Sequence, residues 1–418
     1  MNANTVISCY EEMDTEVGSS YEPMQRKQRR PEPRRKGHGG SSGGGMHCRR
    51  NKSHTWGIGA GARLADLRAF AGALALVLFG LLSPASAVEF NWQTVGSIGN
   101  APNTSTGLGR VTENYKVSAY ETTISQYTEF LNNSHAGKQG LYGVWNSSIG
   151  STTQNATEIG VGIERNGTAG SYSYTVKSAD FANKPVNFVN WFSAARFVNW
   201  YANGQSNAAT ATETGSYTLN GATSGNIVAR NAGAQVFLPS ADEWTKAAFY
   251  NPQGQDYYLW PTQNNATPTA VLPVGNNTVA TANAANFRGD RNANDTRMTN
   301  AGTYVNTTST YGLFDMLGNV TEMTDTASTS TPSNFQAFGG SFATTSAQLA
   351  TWNSNSTGEF RPGSGATEGL GSAGVGFRVA AVAVPEPGNM VAAAMGIGGL
   401  VAVQLAKRRK LALARVAG

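Results

Sequence analysis

The chain of 418 residues carries 31 Lys and Arg against 26 Asp and Glu, a formal net charge of +5, and two cysteines. The basic excess sits at the ends: residues 1–87 hold 12 basic and 7 acidic side chains and residues 384–418 hold 5 and 1, so the stretch 88–383 stands at −4. Phosphate binding needs clustered Lys and Arg, so nucleic acid is excluded as the partner of 88–383. Cys9, Cys48, His38, His47 and His54 all precede an apolar run at 71–82, which leaves His135 alone in the middle. That removes a disulfide framework, a Cys/His zinc site, a cysteine nucleophile and a His-rich iron site.

The basic run from Arg26 to Lys36 reads as a disordered or untranslated leader, and translation starting at Met1 or at Met46 fits equally. Residues 71–82, AGALALVLFGLL, follow Arg63 and Arg68 and precede Pro84-Ala85-Ser86-Ala87. This order is that of a signal peptide, and the small residues at 85 and 87 predict cleavage by signal peptidase after Ala87.

Three helices are expected in the middle. Residues 121–132 carry Thr123 with Gln126 three positions on, a capping-box spacing, and Ile124, Tyr127, Phe130 and Leu131 on one face. His135, in Asn-Ser-His-Ala-Gly, reads as a surface turn. Residues 190–201 place Trp191, Ala194, Ala195, Phe197, Val198 and Tyr201 at helical spacing. Val236-Phe237-Leu238 is a short strand stopped by Pro239, and Ser240-x-x-Glu243 caps a helix over 241–249. From Tyr250 to Thr310 there is little periodicity, so order there is expected from loops and bound ions. The end of the chain runs Val384-Pro385-Glu386-Pro387-Gly388, then an apolar stretch 390–406, then Lys407-Arg408-Arg409-Lys410. It resembles the PEP-CTERM sorting tail of exopolysaccharide-forming bacteria, which implies processing by an exosortase. An ordinary C-terminal membrane anchor is the alternative, since a helix of that length just spans a hydrocarbon core of roughly 30 Å.

A second resemblance rests on six motifs in order: Tyr115-Lys116-Val117 with Glu121-Thr122-Thr123 and Tyr127-x-x-Phe130-Leu131-Asn132; Pro185-Val186-Asn187-Phe188-Val189-Asn190-Trp191; Leu238-Pro239-Ser240-x-x-Glu243-Trp244-x-x-Ala247-Ala248; the segment Tyr311–Glu322; Gly339-Gly340-Ser341-Phe342; and Gly376-Phe377-Arg378-Val379-Ala380. Together they resemble the formylglycine-generating enzyme, or sulfatase-modifying factor, family. The resemblance implies a compact, loop-rich α+β fold related to C-type lectins, with few short helices and twisted antiparallel strands. It divides the chain into a leader with signal peptide (1–87), the family domain (88–383) and the sorting tail (384–418). Trp191, Trp244, Phe314, Phe342 and Phe377 read as core aromatics, Arg378 as a paired buried charge, and Gly312, Gly318, Gly339, Gly340 and Gly376 as sites of positive φ or close backbone approach.

The resemblance also implies which chemistry is lost. Members that make formylglycine bind copper through two cysteines, at positions matching Thr344 and Leu349, and neither side chain holds Cu(I). An iron site of the sulfoxide-synthase kind needs more histidines than His135. Of the carboxylate pairs Asp242/Glu243, Asp290/Asp295 and Asp315/Glu322, the last matches a structural Ca²⁺ site of the family, completed by the carbonyls of Gly318 and Val320. A looser correspondence puts a second Ca²⁺ at Asn286, the Phe287 carbonyl and Asp295. The expected protein is exported to the cell envelope or beyond, held by its C-terminal segment, and non-catalytic, binding a glycan or an envelope protein through residues 342–374. The rival is an oxidoreductase or modifying enzyme acting on exported proteins.

Overall fold

The computed structural model describes residues 87–151, 153–154, 157–158, 162–292, 297–328, 333–349 and 373–383. The expected leader up to Ser86 and the tail from Val384 lie outside them. So does most of the loop expected to bind a ligand. Among the described residues no helix is long and apolar enough to cross a membrane.

A four-stranded antiparallel sheet joins the start of the domain to its end. Its order is Trp92–Val95, Tyr115–Ser118, Ala380–Val382, Val236–Phe237. Val117 faces Ala380 and Tyr115 faces Val382, so distant parts of the chain share one hydrogen-bond ladder. A second sheet sets Thr321–Ala327 between Phe335–Phe338, antiparallel, and Val375–Gly376, parallel. The architecture is α+β, with few short helices and long loops.

The helix Ile124–Asn133 starts two residues after Thr122 because the segment before it is held extended. Thr122 N–H donates to the Phe377 carbonyl at 2.9 Å, and the Thr122 carbonyl accepts from Val186 N–H at 2.9 Å. Helix geometry therefore begins at the Thr123 cap, where Thr123 and Gln126 exchange side-chain to backbone bonds of 3.2 and 2.9 Å. Such a cap is worth about 1 kcal/mol. His135 departs from its expected place in a turn: Ser134 accepts from Gly137 N–H, and the chain re-enters a short helix, His135–Gln139, ended by Gly140 at φ 69°.

Helix Trp191–Ala202 is capped by Asn190, whose side chain accepts from Ser193 N–H at 2.8 Å. Every residue from Trp191 to Trp200 is buried. It meets Ile124–Asn133 through rings: Phe197 lies 5.5 Å from Phe130 and 5.4 Å from Phe377, both edge-on. Edge-to-face pairs of this kind add roughly 0.5–1.5 kcal/mol each beyond burial. Ala241–Phe249 begins on a second capping box, Ser240 with Glu243. Between Phe249 and Val320 regular structure shrinks to two-residue strands and isolated bridges, and Trp260, Ala285, Phe287 and Leu317 from this stretch form a small cluster with Leu349.

Of the aromatics expected in the core, Trp191, Trp244, Phe342 and Phe377 are buried. Phe314 is partly exposed and instead stacks on Tyr120 at 5.1 Å, because its carbonyl and not its ring faces the interior, accepting from Arg378. Gly318, at φ 77°, has no room for a side chain: a Cβ there would lie 2.1 Å from the Asn286 carbonyl oxygen.

Candidate functional site

The polar centre of the domain forms where the two sheets meet the loops. Arg378 is fully buried, and its guanidinium grips both oxygens of Glu322 at 2.5 Å. Its remaining donors go to the carbonyls of Ser118 and Phe314, at 3.0 and 2.9 Å. Trp244 Nε1–H donates to the same Glu322 at 2.6 Å. Burial works against the Arg378 charge, but Glu322 outweighs it and holds the guanidinium above its ordinary pKa.

Two more carboxyls share this interior. Glu121 is 1% exposed, and burial, followed by Asp315 and Glu322, raises it well above the carboxylate range. Burial likewise lifts Asp315 to about 6, against the Gly302 N–H bond and the Arg378 charge that favour its ionised form. Three acids around one guanidinium leave negative charge in excess, which protons or a cation must offset. Asn319 ties the cluster to the loops: its Oδ1 accepts from Thr299 N–H and Asn286 Nδ2, while its Nδ2 reaches Glu121 and the Thr299 carbonyl. Glu121 Oε1 and Asn286 Oδ1 are buried acceptors with no donor.

The residues expected to hold calcium are brought close together, and the two expected sets adjoin. Asn286 and Gly318 form a parallel bridge, with Asn319 N–H donating to the Asn286 carbonyl at 2.9 Å. Asp315 keeps one oxygen beyond its bond from Gly302, and among the described residues no loop hydrogen bond runs to the carbonyls of Gly318 or Val320. Glu322 is more committed: Arg378 and Trp244 occupy both lone pairs of Oε2, and Arg378 one of Oε1, leaving a single lone pair. Oxygen is the donor Ca²⁺ takes, but these four are fewer than its usual roughly six to eight. In the looser set the Phe287 carbonyl accepts from Arg291 at 2.5 Å, and Asp295 lies outside the described residues. No cluster of three or more His, Cys, Asp or Glu with metal-site spacing occurs among the described residues.

The positions matched to the copper cysteines are built into the fold differently. Thr344 is buried, and its hydroxyl accepts from Ser341 N–H at 2.8 Å, closing the Gly340–Thr344 turn. Leu349 is buried beside Trp260 and Leu317. An engaged hydroxyl and a packed hydrocarbon do not fit Cu(I), which takes soft thiolates. Glu243, one of the paired carboxylates, is spent on its helix cap and on Arg230, which also holds Asp325. Sequence reasoning gave no individual role to Glu121 or Asn319 and read Trp244 only as a core aromatic. All three stood within recognised motifs, but only the fold shows that they converge on Arg378 and its partners.

The sulfatase-modifying factor enzyme 1-like domain matches residues 97–383. Among solved structures, Treponema denticola variable protein 1 aligns at 17% identity and a TM-score of 0.39, over 72% of this chain and 97% of its own. CarF aligns at 17% and 0.39, over 71% and 99%, and PvdO from Pseudomonas aeruginosa at 14% and 0.33, over 71% and 93%. No curated protein matches the chain.

Proposed function

Because the chain belongs to the sulfatase-modifying factor enzyme 1-like family, we propose that it uses the family fold as an exported, non-catalytic binding or scaffolding domain. The observation that carries this reading is the pair of positions 344 and 349. Thiolates there would hold copper and place a substrate thiol; a bonded Thr hydroxyl and a buried Leu do neither. No cysteine elsewhere in the domain takes over, since Cys9 and Cys48 both precede it.

Export follows from the 71–82 apolar run with its Ala85-Ser86-Ala87 exit, cut by signal peptidase to leave Val88 first. Sorting follows from the Pro-Glu-Pro tail, recognised by an exosortase while its apolar stretch sits in the membrane. The ligand is a glycan or an envelope protein. A structural Ca²⁺ would be held by Asp315, the carbonyls of Gly318 and Val320 and the remaining lone pair of Glu322, neutralising the excess negative charge around Arg378.

The decisive assay incubates the protein with a cysteine-containing sulfatase peptide, with and without copper, beside an active family member. Mass spectrometry should find no aldehyde product. Turnover above the metal-only blank would overturn the reading and restore the rival modifying enzyme.

A further inference from the structure

Among the described residues, buried or half-buried arginines fall into two groups. Arg196, Arg230 and Arg378 pair with carboxylates, and Arg288, Arg291 and Arg297 donate to main-chain carbonyls. Arg165 belongs to neither. It stands on the strand Ile163–Asn166, opposite Tyr174 in the hairpin with Ser173–Val176, and only the Tyr174 hydroxyl takes a hydrogen bond from it. Its guanidinium is clamped between two aromatic faces, 4.1 Å from the Trp145 ring centroid and 4.4 Å from that of Tyr172.

Each wall of this clamp is fixed. Trp145 Nε1–H donates to the Ile163 carbonyl at 2.8 Å, and Tyr172 N–H donates to the Lys138 carbonyl at 3.2 Å. Tyr172 also closes over Gly140, where an added Cβ would lie 2.7 Å from its ring. Stacking occupies both faces of a guanidinium and leaves its edge, where the donors are. Tyr174 takes one of five N–H groups. The remaining edge is a preorganised fork of the kind that receives a planar carboxylate through two parallel bonds. Among the described residues no acid faces it: Glu164 lies on the opposite face of the strand, and Lys177 is turned to the Gly150 carbonyl.

We propose that Trp145, Arg165 and Tyr172 form a subsite for a uronate residue of an acidic polysaccharide. The guanidinium edge takes the carboxylate. Trp145 and Tyr172 are half-buried, and the ring face turned away from the guanidinium is the kind of surface on which the apolar C–H face of a sugar packs. Around them the exposed rim is hydroxyl and amide: Asn166, Thr168 and Ser171. A polyhydroxylated ring carrying one carboxylate matches all three features, whereas an acidic peptide uses only the first. The subsite rests on the binding-domain reading of the chain.

The test is calorimetric titration of the full chain with a galacturonic acid hexamer, its carboxyl-reduced neutral counterpart, and a glutamate hexapeptide. The uronate should bind, and the reduced sugar about tenfold or more weakly, since it cannot use the fork. Arg165→Lys keeps the charge but loses fork and stack, and should also cost about tenfold, with an unchanged melting curve certifying the fold. Trp145 fluorescence should change on uronate binding and not with the peptide. Equal binding of uronate and reduced sugar, unaltered binding by Arg165→Lys, preference for the peptide, or no binding at all would each overturn the subsite. None of these results would restore formylglycine turnover, so loss of the subsite and loss of the non-catalytic reading remain distinct.

Discussion

Residues 121–249 and 250–349 lie in one domain but are ordered by different interactions. The first stretch has three helices longer than one or two turns, each opened by a side-chain cap and joined by buried rings. Outside the paired strands Thr321–Ala327 and Phe335–Phe338, the second has strands of two residues, and Asn, Thr and Asp side chains that bond loop to loop: Asn283 to the 266–267 carbonyls, Asn286 to Arg297, Asp315 to Gly302. The comparison shows that a fold can be locally encoded in one half and polar-network encoded in the other. Local signals give each helix its own stability; a network stands only when its far partners are present.

The two halves meet at Glu322, which accepts from Trp244 of the first and from Arg378, whose guanidinium also holds the Ser118 and Phe314 carbonyls. Arg378→Met should therefore cause the largest loss, about 3–5 kcal/mol, because it strands a buried carboxylate. Denaturant unfolding measures it. A loss under about 1 kcal/mol would show that the halves are not coupled through this residue.

Next in size is a pH effect at the buried carboxyls around Arg378. Burial raises Asp315 from 3.8 to about 6, so the folded chain binds its proton more tightly than the unfolded chain does. That stability is complete below the unfolded value and disappears as pH rises through about 6, worth roughly 3 kcal/mol at most. Glu121, raised in the same direction, adds to it. Metal-free protein should melt at lower temperature at pH 7 than at pH 4.5, and Asp315→Asn should remove much of the slope. Calcium should raise the melting point at pH 7; if neither chelator nor Asp315→Asn alters the profile, the ion and the linkage both fail.

The smallest expected effect probes the helical half. Ser240→Ala removes the acceptor for Glu243 N–H and should cost about 1 kcal/mol. Hydrogen exchange should then rise in the first turn after Ser240 and stay unchanged around Asn319. Spreading of the change to the loops would erase the distinction between the halves.

How much was legible follows the same division. Thr123/Gln126 and Ser240/Glu243 announce their helices because a cap is a contact between residues three apart, present in the sequence itself, and helix 190–201 is announced by its apolar spacing. Phe314 was misassigned to the core because it has no local signal, being turned by an Arg378 bond from 64 positions away; His135 was read as a turn although the Ser134 cap that opens its helix is local and present in the sequence.

The sequence by itself determined the family, through six motifs in order, and the absence of cysteine from 88–383, because no fold can supply a thiol that stretch lacks. Only the tertiary structure decided that Glu121, Asp315, Glu322 and Arg378 share one interior, and that Arg165 stands clamped between Trp145 and Tyr172 with no acid against it among the described residues. Those are matters of burial and of partners far apart in the chain. A side chain's charge is written in the sequence, but its desolvation and its counterion exist only once distant segments have packed.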